Sequence, residues 1–225
     1  MADSIDIPKI KKAQIKTTLA KTTVICITAA ALNHLIFPLF VYLLKLPLFV
    51  DTVFTAAVTF SAGLIPGIIT AVLTWVIGFT IKNGIIHPFI ICSIAEVFII
   101  FLLRPAVVNQ QGLNEERKRA GFVNVLARLM LIYITVVVVI SIMGGLIDFI
   151  FYTLLANTKA DYSAEDAFKE WLFQSSPSVL VMNILSRLPV NITDRFIVVF
   201  GGYFISQAFI SLPIFSGIPL NQKTK

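Results

Sequence analysis

Glu96 stands eight residues into an apolar run that begins at Pro88, a depth of about 12 Å along a helix. A carboxylate so placed must be protonated, paired, or facing a wet cavity. A ligand cavity and an interhelical hydrogen bond both meet that condition. Other polar residues gather where apolar runs begin or end. Asp51 and Thr52 open one run, and Lys82, Asn83 and His87 fill the turn before the run of Glu96. Asp148 lies near the end of a long run, and Asn183, Arg187, Asn191, Asp194 and Arg195 surround the start of the last one. Carboxylates, guanidinium groups, amides and an imidazole brought together can recognise a small polar molecule by charge and hydrogen bonds. The same residues can instead cap helices at the headgroups: this suits Thr52 and Asn191, and Asp194 gains from a helix N-terminus. Asn33 and His34, midway along the first apolar run, suit packing, because that run has the small-residue texture of a helix interface.

Enzyme motifs do not accompany these residues. The chain has no His-Glu-x-x-His, no Gly-x-Ser-x-Gly, no phosphate-binding loop and no His/Cys set spaced for a metal, so neither catalysis nor a cofactor is expected. Its two cysteines, Cys26 and Cys92, fall in different apolar runs, and neither a disulfide nor a metal pair is expected of them. Asn191-Ile-Thr193 matches a glycosylation sequon only weakly, being at a membrane edge.

The elements that must position the polar residues follow from composition. Of 225 residues, 57% are hydrophobic and 13% charged, and a soluble domain carries roughly twice that charged fraction. Too few polar residues remain to coat a core, which makes lipid the expected solvent. The net charge of +6 is distributed beside apolar runs, as topology signals are, and no nucleic-acid partner is expected. The first 21 residues are polar and lysine-rich, and no cleavable signal follows them.

Spans are expected at 22–44, 49–63, 66–81, 88–104, 122–155 and 191–212, with breaks at Gly63, Pro66-Gly67, Lys82-Asn83-Gly84 and His87-Pro88. Residues 104–120 and 157–176 read as polar linkers, 177–188 as an apolar stretch too short to span, and Gly144-Gly145 as a kink or close contact. The expected fold is all-α: one integral membrane domain over 1–225, a polytopic bundle of six transmembrane helices from about 22 to 214, between a basic cytoplasmic N-terminus (1–21) and a cytoplasmic tail (215–225).

Lysine and arginine orient the bundle. With the N-terminus inside, the inner side holds Lys9, Lys11, Lys12, Lys16, Lys21, Arg104, Arg117, Lys118, Arg119, Arg128, Lys223 and Lys225, against Lys45, Lys82, Lys159, Lys169, Arg187 and Arg195 outside. That two-to-one bias predicts an N-in/C-in topology. The polar groups then collect on the outer side, as a site open to the exterior would require. Between the last two spans, Ser163-x-x-Asp166 resembles a capping box. Ala164, Ala167, Phe168, Trp171 and Leu172 then form one apolar stripe, predicting an interfacial helix or a lid over 163–173.

The stretches Leu46-Pro-Leu-Phe-Val-Asp51-Thr-Val-Phe and Ala62-Gly-Leu-Ile-Pro66-Gly67-Ile-Ile-Thr-Ala-Val-Leu-Thr resemble the second and third helices of the substrate-binding S components of energy-coupling factor (ECF) transporters. Leu188-Pro-Val-Asn191-Ile-Thr-Asp194-Arg195-Phe-Ile-Val-Val-Phe-Gly-Gly-Tyr203 is similar to the last helix of that family. Together these cover about a third of the chain. The resemblance implies a subunit of a bacterial plasma membrane that captures a vitamin or similar micronutrient from outside. It would dock on a transmembrane coupling subunit driven by two cytoplasmic ATPases, and hydrolyse nothing itself. In the regions where the family binds ligand, this chain has Phe49, Asp51, Asn83, His87, Asn183, Arg187, Asn191 and Arg195; Glu96 and Asp148 join them from the residues themselves. The family's Ala-x-x-x-Ala docking pattern has its nearest equivalents in Cys26-x-x-x-Ala30 and in Ala29-Ala30-Ala31, which implies docking through Cys26, Ala29 and Ala30. The alternatives are a membrane sensory or ligand-binding domain of the same architecture, without transport activity, and a membrane enzyme, which would need an inward catalytic cluster.

Overall fold

Side chains that a water-soluble bundle would bury lie on the surface of this one. Leu35, Ile65, Leu102, Phe122, Ile134 and Phe204 are exposed, whereas Asn33, Thr55, Glu96, Asn183, Asp194 and Ser206 are buried. That inversion is the arrangement an apolar solvent selects: lipid accepts the outer leucines and phenylalanines, and polar groups turn inward to find partners. The structure is a computed structural model that describes residues 7–40, 48, 50–81, 88–105, 115–154 and 178–211. Phe49, Asn83, His87, Lys45, Lys82 and the 163–173 segment lie outside the described residues.

Six helical rods and no strand occur among the described residues. They are α1 (Ile7–Pro38), α2 (Val53–Ala62), α3 (Leu64–Ile81), α4 (Ile90–Leu103), α5 (Glu115–Asp148) and a last rod made of α6 (Val179–Phe196) and α7 (Gly202–Ser211). A π-helical turn, Ile197–Gly201, joins α6 to α7, and another, Phe149–Leu154, prolongs α5. Three stretches are long and apolar enough to cross a membrane: Leu19–Ile36, Arg119–Phe151 and Val179–Phe209.

The other three rods are shorter, and α2 shows why that is tolerated. Its 10 residues cover about 15 Å, half of a bilayer core. Yet Val53 and all residues from Thr55 to Ser61 are buried, because α1, α3, α4 and α7 surround it. A helix wrapped by protein on every side need not match the thickness of lipid. Small residues let the neighbours come close. A Cβ on Gly202 of α7 would sit 2.7 Å from the Cβ of Ala56 and 3.1 Å from the Val53 carbonyl oxygen.

Two corrections to the expected spans bear on the site. Pro189 does not end a helix: α6 runs through it from Val179, so 179–188 belongs to the last rod. Proline removes one backbone hydrogen bond, but α6 lies along α5 throughout, with the backbone of Ile184 against Gly145. That packing holds the rod across the defect. Asn191 and Asp194 therefore stand mid-helix and are not caps. Second, in the span expected from residue 49 the described residues 50–52 are non-helical, and the helix starts at Val53. Leu48, Val50 and Thr52 are nonetheless buried, so chain without helical hydrogen bonds enters the bundle there. At the other end of α2, Gly63 adopts φ 97°, a left-handed region that favours glycine. Arg104 donates to the Thr59 carbonyl at 3.1 Å beside this turn.

Candidate functional site

The i, i+4 spacing of Asn183, Arg187, Asn191 and Arg195 puts all four on one face of α6, and that face turns into the bundle. Asn183 and Asn191 are buried, Arg195 is 7% exposed, and Asp194 beside it is fully buried. The other helices meet this stripe in two charged layers.

The deeper layer centres on Arg195. One amino group, Nη1, donates to Glu96 Oε2 of α4 at 2.7 Å and to Thr52 Oγ1 at 3.0 Å; Nη2 pairs with Asp194 Oδ2. The other oxygen of Asp194 accepts the Val50 N–H at 2.7 Å. Backbone that helix formation leaves unsatisfied is thus bonded by side chains from elsewhere. From the opposite side, Asn33 of α1 accepts the Phe54 N–H at 3.0 Å and donates to Thr55 at 2.9 Å and Thr74 at 3.1 Å. His34 reaches the Thr74 carbonyl at 2.6 Å. Asp194 and Arg195 of α6 thus bond the break at 50–52 directly, while Asn33 of α1 holds the first turn of α2 that follows it. Asp51, within the break, is partly exposed and lies in the electrostatic range of Arg195, Asp194 and Glu96.

The second layer lies two turns back along α6. Arg187 donates through Nε and Nη2 to Asp148 Oδ2 at 3.0 and 2.8 Å, and its guanidinium lies 4.6 Å from the centre of the Phe89 ring. A bidentate pair with an aromatic face beneath it fixes the guanidinium plane. Gly144 makes the room: a Cβ there would come within 2.9 Å of Arg187 Nη1. Asn183, one turn further, has neither amide atom hydrogen-bonded among the described residues, and the same holds for Glu96 Oε1 and Arg195 Nε. Between the layers, Asn191 donates to Ser141 at 2.9 Å. Cys92 lies within electrostatic range of both layers.

The structure thus brings Asp51, Glu96, Asp148, Asn183, Arg187, Asn191 and Arg195 to one interior, whereas Phe49, Asn83 and His87 are among the residues not described. Of the two states open to Glu96 it takes pairing, with one oxygen left over. Phe89 and Ser141 were missed as partners, although the tight Gly144-Gly145 pair marks the place where α6 approaches α5. Cys26, Ala29 and Ala30, which the family resemblance implied for docking, are at most 2% exposed; Cys26 and Ala29 pack with Val58 of α2, and Cys26 reaches the Pro66 carbonyl at 3.5 Å. Their small-residue face is occupied by the chain's own helices.

Among the described residues the fold is all-helical, with three stretches apolar enough to cross a membrane and two charged layers buried between the helices. The chain matches no family model, no curated protein and no solved structure.

Proposed function

We propose that the chain is the substrate-binding subunit of an importer of the energy-coupling factor type, capturing a vitamin or similar micronutrient at the outer face of a bacterial plasma membrane. In this proposal six spans run N-in/C-in, and the layer of Asp148, Arg187, Asn183 and Phe89 lies nearer the outside than Arg195. The captured molecule sits against that layer, and the pinned break at 50–52 forms its floor. The chain then works with a transmembrane coupling subunit and two ATPases, and performs no chemistry of its own.

The observation that supports this most is the unspent hydrogen-bonding capacity on the interior face of α6. Asn183 is fully buried with both amide atoms unbonded among the described residues, and a buried amide is costly when unsatisfied. Broken helices that frame polar sites at bilayer depth are also a recurrent device of transporters. The test is gentle extraction of the chain from its own membranes, identification of co-purified proteins, and uptake by vesicles rebuilt from the recovered set. Recovery of a coupling subunit with ATPases and ATP-dependent uptake of a micronutrient is the expected result. A chain that purifies alone and supports no uptake with any such module contradicts the proposal.

A further inference from the structure

The deeper layer is not neutral. Glu96 and Asp194 both pair with a single guanidinium, that of Arg195, and Asp51 stands in the break next to Thr52, which the same guanidinium bonds, so with all four ionised two negative charges are left over among the described residues. The upper layer cancels, Asp148 against Arg187. Glu96 adds a second, independent sign: Oε1 is buried and has no hydrogen-bond partner among the described residues, although the residue is only 2% exposed. An acceptor without a donor, in a region of negative potential, fits a positively charged donor. Uncompensated charge in a low-dielectric interior is expensive, and it is relieved by a proton or by a cation. An anion placed against this layer would meet repulsion that Arg187, already bonded twice to Asp148, does little to offset.

Resting on the proposal of a substrate site, we infer that the captured molecule is an organic cation. Its ammonium or quaternised ring nitrogen faces Asp51 and Glu96, and its neutral remainder lies towards Asn183. Glu96 and Asp51 then act as charge-selecting residues, while Asp194 is committed to Val50 and Arg195.

Cys92 is a native reporter of the local potential, since the charges of both layers act on it. The chain in lipid nanodiscs is treated with 2-(trimethylammonium)ethyl methanethiosulfonate or with 2-sulfonatoethyl methanethiosulfonate. Modification at Cys92 is followed by peptide mass mapping, in the wild type and in Cys26→Ala. Each rate is divided by that reagent's rate with 2-mercaptoethanol, and any change in thiolate fraction cancels in the ratio of the two reagents. The expected outcome is a cationic preference of about ten-fold or more at charge separations under about 10 Å. Asp51→Asn, which removes a charge that takes no ion pair among the described residues, should cut that preference several-fold. Equal rates, or a faster anionic reagent, overturn the cation assignment and leave the substrate site standing. If the small neutral reagent methyl methanethiosulfonate also fails to reach Cys92, no molecule enters between the layers, and both the site and the cation are overturned.

Discussion

Replacing Arg195 by methionine removes the hub of the deeper layer with little change in volume. Three bonds go at once: to Glu96, Asp194 and Thr52. The two carboxylates are not left alike. Asp194 keeps the Val50 N–H, but Glu96 loses its only ion-pair partner among the described residues while remaining 2% exposed. Breaking a buried pair from one side costs about 3–5 kcal/mol, so Arg195→Met should destabilise the bundle by about that amount. For a chain of this size it corresponds to a fall in midpoint of about 10 °C. Most of the cost is the stranded carboxylate, and that makes a sharper forecast. Adding Glu96→Gln to Arg195→Met should return about 1–3 kcal/mol, although Glu96→Gln alone destabilises the wild type. Thermal unfolding in one detergent, read by intrinsic fluorescence for all four members of the cycle, measures this. Additive effects, or an Arg195→Met midpoint within a degree or two of the wild type, would refute a hub role for Arg195.

Three further substitutions, with Gly121→Ala as a control, probe the frame around the site. Asn33→Leu leaves the Phe54 N–H and the Thr55 and Thr74 hydroxyls without their partner, and should cost about 1–3 kcal/mol in the same unfolding assay. Gly145→Ala places a Cβ 2.7 Å from the Ile184 backbone. It should push α5 from α6 at a cost of about 1–3 kcal/mol, whereas Gly121→Ala, which meets nothing within 4 Å, should be neutral or stabilising by about 0.5–1 kcal/mol. Gly63→Ala forces a side chain into φ 97° and should cost about 1–2 kcal/mol.

The membrane character and the polar residues of the stripe were legible from composition and from polar groups beside apolar runs, whereas their common i, i+4 face was not, because Pro189 was taken to divide them. Polar groups inside apolar runs are rare enough to stand out singly. What could not be read was which of them bond to one another. The Arg195–Glu96 and Arg195–Thr52 pairs join residues 99 and 143 positions apart, and no local pattern encodes that choice. Pro189 was misread because its local rule was overruled by packing along α5. The break at 50–52 was misread for the opposite reason: its residues are apolar enough for a helix, and only the side chain of Asp194, distant in sequence, shows that the Val50 N–H is bonded another way. For Cys26, Ala29 and Ala30, small residues alone do not say whether a close contact is with the same chain or another.

Capture of a small molecule by the α6 stripe is the central claim, and native mass spectrometry of the mildly extracted chain tests it most directly. The expected spectrum of the wild type shows a small-molecule adduct released by collisional activation, with occupancy lost in Asn183→Leu while the folded charge-state distribution is kept. A wild-type chain that carries no releasable adduct, or an adduct whose occupancy is the same in Asn183→Leu, would contradict it.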